Sequence, residues 1–284
     1  MSEPTPREPT PPGPVGPERT ATPRSVVVTG AGRGIGRGIA TVLAGAGWTV
    51  VGVDRDPVDD GPWVELLTGD TRDPEVHRRA ARAAATHAPV RGWVNNAGVT
   101  RTTPLHRLAD PAAAEEVERT IRDVVDVNGL GFLWGCAAAV EAFLAHDTED
   151  AGGRGAIVSV GSIHGRAAWT DHAAYEFTKG GIDALTRSIA VTYGAHRIRA
   201  NTVAPGRIRT EAVDAWLADA DDPDATRRAL DDGPPLGRMG TVAEIGEVVA
   251  FLLSERASYL TGQSVAVDGG WTAQFGTPPP PDLG

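Results

Sequence analysis

The chain has 284 residues, with 37 acidic against 27 basic side chains and a formal charge of −10. That balance repels phosphate backbones and anionic bilayers, which argues against nucleic-acid or membrane-surface binding as the main role. A hydrophobic content of 41% suits one α/β domain of roughly 250 residues, and a single cysteine, Cys136, leaves no internal disulfide.

Residues 1–24 hold eight of the 22 prolines and few large apolar side chains, a composition that cannot repay the entropy of ordering. They are predicted to be a disordered tail without the apolar segment of a secretory signal. Residues 273–284, with four prolines at 278–281, form a second tail. The folded domain is expected over 25–272.

Within it, β-rich runs at 25–29, 48–53, 90–94, 156–160 and 198–203 read as strands buried on both faces, with weaker candidates at 63–68 and 263–267. Segments 35–46, 74–87, 112–146, 172–194 and 241–253 are long enough for helices and rich in Ala, Leu, Glu and Arg. Strands alternating with helices predict a parallel, doubly wound sheet of about seven strands with helices on both faces. The longest apolar run, 129–140, is shorter than the ~20 residues of a membrane span, so a soluble, cytoplasmic protein is expected. The seven histidines form no ligand-spaced cluster, and no metal site is predicted.

The first strand runs into Thr29-Gly30-Ala31-Gly32-Arg33-Gly34-Ile35-Gly36 and then directly into a helix. A glycine-rich turn there lets the backbone approach a pyrophosphate, whose charge sits among the free N–H groups of the helix N-terminus. Arg33 either touches a cofactor phosphate or faces solvent. Asp54 ends the second strand, 24 residues after Gly30, where an acid accepts hydrogen bonds from the adenosine ribose. Its charge would repel a 2′-phosphate, favouring NAD over NADP, with Arg33 and Arg55 as the opposing signals.

In helix 172–194, Tyr175 and Lys179 are four residues apart and so share a face. A cation beside a phenol lowers its pKa, as an acid/base for a secondary alcohol or ketone requires. Of the 27 basic residues, 26 are Arg and only Lys179 is Lys. A chain that replaces Lys with Arg elsewhere keeps it where a compact ammonium has no guanidinium substitute.

Taken together, residues 25–270 resemble the short-chain dehydrogenase/reductase family, single-domain branch. The likeness rests on the Thr29 to Gly36 motif, Asn95-Asn96-Ala97-Gly98, Asn128, Ser162 with Tyr175 and Lys179, and Pro205-Gly206, in order and at the family's spacing. It implies an NAD-dependent oxidoreductase in which Ser162 binds the substrate oxygen and Tyr175 transfers the proton. Lys179 would bind the nicotinamide ribose and lower the Tyr pKa, and Asn128 would hold a water linking Lys179 to solvent. Asp70 would meet the adenine amino group, beside Thr71 where the family usually has a larger aliphatic. Asn96, Ala97 and Gly98 would lie under the cofactor. Pro205 and Gly206 would shape the turn against the nicotinamide, and Ile208 and Thr210 would contact its carboxamide.

The substrate wall is expected from Ile163, His164, Trp169, Arg207 and Trp216, with 207–235 as a mobile lid. Trp169 and Trp216 stack on a ring substrate or pack within the lid. His164 hydrogen-bonds a substrate group or the backbone, and Arg207 binds an anionic substrate or pairs with a lid acid. Helix residues 130–144, apolar all round, imply burial or a subunit interface, and the resemblance implies a homotetramer or homodimer. Two other functions stay open: an NADPH-dependent 3-oxoacyl ketoreductase, and a non-catalytic dinucleotide sensor or scaffold.

Overall fold

The computed structural model describes residues 23–145 and 153–274. The tail expected at 1–24, apart from its last two residues, and residues 275–284 of the C-terminal tail lie outside the described residues.

Seven parallel strands form the main sheet, β1 (Ser25–Thr29), β2 (Thr49–Asp54), β3 (Glu65–Thr68), β4 (Val90–Asn95), β5 (Gly155–Val160), β6 (Ile198–Pro205) and, last in the chain, β9 (Ser264–Val267). Their order is β3-β2-β1-β4-β5-β6-β9. The chain therefore winds outward from β1 in one direction and from β4 in the other, and the crevice where that order reverses opens beyond the carboxyl ends of β1 and β4. The central strands carry Val and Ile in unbroken buried runs because helices cover both sides.

On one face, α1 (Gly34–Gly45) and α8 (Val242–Leu253) bury Ile39, Leu43, Ile245, Val249 and Leu252 against β1, β5 and β6. On the other, α2 (Pro74–His87), α4 (Gly131–Leu144) and α5 (Ala173–Tyr193) bury Val76, Ala80, Ala139, Phe143 and Ala190. The remaining helices are α3 (Ala114–Val125), α6 (Glu211–Ala218) and α7 (Pro223–Asp231). Sequence cues set the helix starts. Asp73 caps α2 by accepting from Glu75 N–H and is followed by Pro74, while Thr241 and Glu244 form a reciprocal capping box on α8.

Two features depart from the sequence expectation. The helix expected over 112–146 is α3 and α4 joined by a π-helical turn, Asp126–Leu130, that carries the buried Asn128; no proline interrupts the run, and the weak helix formers Asn128, Gly129 and Gly131 do not by themselves mark a π-turn. The joined helix, 31 residues from Ala114 to Leu144, is long and apolar enough to cross a membrane, unlike the uninterrupted run at 129–140. Half of its most apolar window is buried inside the protein, where Phe132, Cys136, Val140 and Phe143 supply core. Second, β7 (Ile208–Arg209) pairs in parallel with β8 (Gly240–Thr241), so the excursion carrying α6 and α7 leaves and returns at one point.

Candidate active site

Beyond β1 and β4 lies a cleft of about 490 Å³, within the range of small-molecule sites. Its floor is the glycine turn. Gly30 adopts φ +65°, and a Cβ on Gly36 would stand 1.9 Å from the Gly30 carbonyl oxygen, so the motif's glycines are required by close backbone approach. Asn96 fastens this turn to β4: its side-chain amide donates to the carbonyls of Thr29 (3.0 Å) and Gly30 (3.1 Å), and its N–H donates to Thr29 Oγ1. Asn96 is thus a structural clamp that also lines the cleft.

Asp54 stands at the end of β2, where the ribose acid was expected. Oδ2 accepts from Gly32 N–H at 2.7 Å and Oδ1 from Asp56 N–H at 3.2 Å, leaving further lone pairs toward the cleft it lines. Arg33 lines the cleft while largely exposed, and lies 3.8 Å from Asp56, which also pairs with Arg55 at 3.7 Å. Asp70 and Thr71 also line the cleft. Asp70 is gripped bidentately by Arg72, whose hydrogen bonds hold its carboxyl below the usual range. Thr71 gives its carbonyl to the buried His77 ring.

At the opposite end Ser162, Tyr175 and Lys179 come together, although 13 and four residues separate them in sequence. Ser162 follows β5 and its Oγ accepts from His164 N–H at 3.1 Å. Tyr175 lies on the first turn of α5, within hydrogen-bond reach of Ser162. Lys179, one turn on, is 5% exposed; its Nζ donates to the Val160 carbonyl at 2.9 Å and lies 5.5 Å from the Tyr175 ring centre.

The electrostatics differ from the sequence expectation. Burial raises the Tyr175 phenol above its ordinary value, only partly offset by the hydrogen bond with Ser162, and burial pushes Lys179 down to about 7. Desolvation opposes both charges, and Nζ is directed to the Val160 carbonyl rather than to the phenol.

Other expected residues make contacts within the protein. The Asn128 side chain accepts from the Val99 N–H and donates to its carbonyl, both at 2.8 Å, and its amide also donates to Thr178 Oγ1 at 3.5 Å. The Ile208 side chain is 8% exposed and joins the core cluster of Ile245 and Val249, because its strand pairing turns it inward. Gly34 gives its N–H to Glu211 of α6. Arg207 pairs with no lid acid; its Nη1 donates to the carbonyls of Ala229 (2.9 Å) and Leu230 (3.3 Å) at the end of α7, and its guanidinium packs over Trp271. Ile163 is buried, Trp216 is 55% exposed on α6, and His164 stacks among Trp169, His172 and Tyr175 without a ring hydrogen bond to backbone. Gly30, Ile35, Gly36, Ala97, Gly98, Pro205, Gly206 and Thr210 all line the cleft.

The glycine-lined approach, the acid after β2 and a depth spanning Asp70 to Lys179 fit a dinucleotide lying across the sheet's switch point. A family model described as enoyl-(acyl carrier protein) reductase matches residues 30–272. The chain belongs to the short-chain dehydrogenase/reductase family. This short-chain dehydrogenase/reductase is 35% identical over 256 residues to L-xylulose reductase of Bos taurus, covering 88% of this chain and 97% of that one. It is 38% identical over 263 residues to cis-4-hydroxycyclohexanecarboxylate dehydrogenase of Sinomonas cyclohexanicum, at the same coverage. A putative 2-deoxy-D-gluconate 3-dehydrogenase from Agrobacterium tumefaciens, solved with bound NADP, superposes with TM-score 0.72 at 28% identity, over 89% of this chain and 98% of that one.

Sequence reasoning missed Asp56, Gly69, Val99, Thr100, Val127, Val160 and Gly161 in the wall of this dehydrogenase/reductase cleft. Asp56 lies two residues after Asp54 and was within reach of the β2 argument; Val99 and Thr100 follow the Asn95 to Gly98 motif. Val127 reaches the cleft only through the π-helical turn, which nothing in the sequence announces.

Proposed function

We propose that this cleft interconverts a secondary alcohol and a ketone with NAD, and that Ser162, Tyr175 and Lys179 carry the chemistry. The observation behind this reading is their convergence on one end of a dinucleotide cleft, with the chain's one lysine buried. When bound, the nicotinamide ring accepts hydride from the carbinol carbon or returns it. Tyr175 takes the hydroxyl proton in oxidation and gives it back in reduction, and Ser162 donates to the substrate oxygen as charge develops there. Lys179, poised near neutrality, draws the Tyr175 proton affinity down when protonated. With the Asn128 side chain committed to Val99, any water leading from Lys179 toward solvent is held by backbone in the π-helical turn. Gly30, Ile35 and Gly36 face the cofactor phosphates, Asp54 the adenosine ribose, and Pro205, Gly206 and Thr210 the nicotinamide.

NAD rather than NADP is supported by the Asp54 carboxylate, pinned by Gly32 N–H, and by Asp56, which stands beside both Arg33 and Arg55. Fluorescence titration with the two cofactors tests this; tighter NADP binding overturns it.

Helices α6 and α7 act as a lid over 207–235, since Leu217 is the only side chain they bury. The exposed Phe177 (72%) and Val191 (85%) on α5, with Leu133 on α4, support a homotetramer or homodimer through these helices. A monomer mass by light scattering at micromolar concentration contradicts it. The half-buried apolar helix and acidic balance fit a cytoplasmic enzyme.

Tyr175→Phe tests the mechanism. It removes the proton carrier while leaving the aromatic ring, so turnover falls by at least about 10²-fold and NAD still binds by titration; undiminished turnover sinks the assignment.

A further inference from the structure

Beside Tyr175, outside the cofactor cleft, is a compact group of rings and one carboxylate that neither the fold nor the proton-transfer chemistry requires. His164 packs edge-on to Tyr175, with ring centres 5.7 Å apart and planes at 75°. Trp169 and His172 stack at 5.6 Å and flank it. Glu176, the residue after Tyr175, turns its carboxylate into this group: Oε1 accepts the Trp169 N–H and lies 3.7 Å from His164 Nδ1. Both side chains are largely shielded, His164 at 17% and Glu176 at 22% exposure. A carboxylate set among aromatic rings is costly unless it orders something.

What it orders follows from the partners. His164 Nδ1 is buried and makes no hydrogen bond, and the carboxylate 3.7 Å away is the group that faces it, which favours the tautomer with its proton on Nδ1. In that tautomer Nε2 carries the lone pair, and it makes no hydrogen bond among the described residues. His164 is also tied to the reacting centre through its backbone, since its N–H donates to Ser162 Oγ at 3.1 Å. Glu176 thus fixes the ring through Nδ1 and the adjoining loop through Trp169 N–H, and the ring stands beside the two hydroxyls that hold the reacting oxygen.

We propose that His164 and Glu176 are a specificity pair: Glu176 positions His164, and His164 Nε2 accepts a hydrogen bond from a second hydroxyl on the substrate, borne on a carbon next to the reacting carbinol. The substrate class is then a vicinal diol or its hydroxyketone, a polyol or sugar-like molecule rather than a simple alcohol. Trp169 supplies the apolar face against which its carbon skeleton lies. This rests on the alcohol-to-ketone reading of the site and narrows it.

A matched pair of probes tests it, cyclohexane-1,2-diol and cyclohexanol, oxidised with NAD and compared as the ratio of kcat/KM within each protein. The ratio cancels any loss of folded enzyme, so a purely structural effect leaves it unmoved. The wild-type chain is expected to favour the diol by about tenfold or more, the worth of one buried hydrogen bond. His164→Phe brings the ratio near unity, Glu176→Gln lowers it in part, and His164→Gln restores some of it. A wild-type ratio near unity, or one unchanged in both His164→Phe and Glu176→Gln, overturns the proposal while leaving the alcohol dehydrogenase reading intact. If the wild-type chain oxidises neither probe and reduces neither corresponding ketone, the broader reading fails and the proposal with it.

Discussion

Lys179 is held at a cost to stability that can be measured as a function of pH. Its ammonium is buried, and its pKa falls from 10.5 to about 7 because burial penalises the charge more than Asp183 compensates. Between those two values the unfolded chain holds a proton on Lys179 that the folded chain does not, so folding stability rises with pH through that window. Each unit of difference corresponds to about 1.4 kcal/mol. The penalty relative to an uncharged side chain is about 4–5 kcal/mol near pH 6 and about 2 kcal/mol near pH 9. Lys179→Met keeps the length of the side chain and removes the titration. Its Tm relative to wild type should therefore be highest near pH 6 and lose about 5–10 °C of that relative advantage by about pH 9. The lost Nζ to Val160 hydrogen bond is a nearly constant offset that drops out of the difference between pH values. Differential scanning calorimetry of both proteins across this range decides it. Parallel Tm curves would show that Lys179 titrates at its ordinary value and would refute the account of its burial. The variant is also expected to lose turnover at every pH, so stability and activity move in opposite directions.

Gly36→Ala places a methyl 1.9 Å from the Gly30 carbonyl and 2.5 Å from the Asn96 amide; backbone must shift, lowering stability by about 3 kcal/mol and abolishing NAD binding, with Tm and titration as readouts. Arg207→Ala frees the carbonyls of Ala229 and Leu230 at the end of α7 and removes a cation from a helix C-terminus. A local loss of about 1–2 kcal/mol follows, seen as faster hydrogen exchange over 223–231 with little change in global Tm; equal exchange rates contradict it. Cys136 is buried and its thiol is pushed up to about 12, so maleimide labelling near neutral pH should occur only as fast as the protein unfolds.

The main sheet was legible because its signal is local and repeated. Runs such as Ser25 to Thr29 and Ala156 to Val160 are mostly Val, Ile and Ala with no polar alternation, as strands covered on both faces require, and helices between them force parallel crossovers. The cofactor floor was legible for a different reason: Gly36 and Gly30 are dictated by backbone approach within eight residues of sequence, so composition records the geometry directly. The π-helical turn at Asp126–Leu130 left no such trace, since an extra residue in a helical turn requires no special side chain. The ladder of β7 and β8 was equally silent, with two residues in each strand and 30 residues between them.

The substrate wall was the least legible part, and the reason is physical. Arg207 carries a formal charge that, in a chain with ten more acids than bases, invites pairing with a carboxylate, yet the fold gives it helix-end carbonyls and a tryptophan face. Which acceptor an arginine meets is decided by chain geometry at distances of 20 residues and more, and many acceptors serve equally well in energy. His164 shows the same ambiguity from the other side. Its sequence neighbours suggest a backbone partner, whereas the acceptor facing its ring belongs to Glu176, on another element, 12 residues on. Reaction chemistry demands particular groups at particular spacings and so survives in the sequence as a motif. Substrate selection needs only some polar group somewhere on the wall, and that freedom is what erases it from the sequence. The same freedom makes the His164 and Glu176 pair, rather than the Ser162, Tyr175 and Lys179 set, the place where the proposed substrate selection is decided.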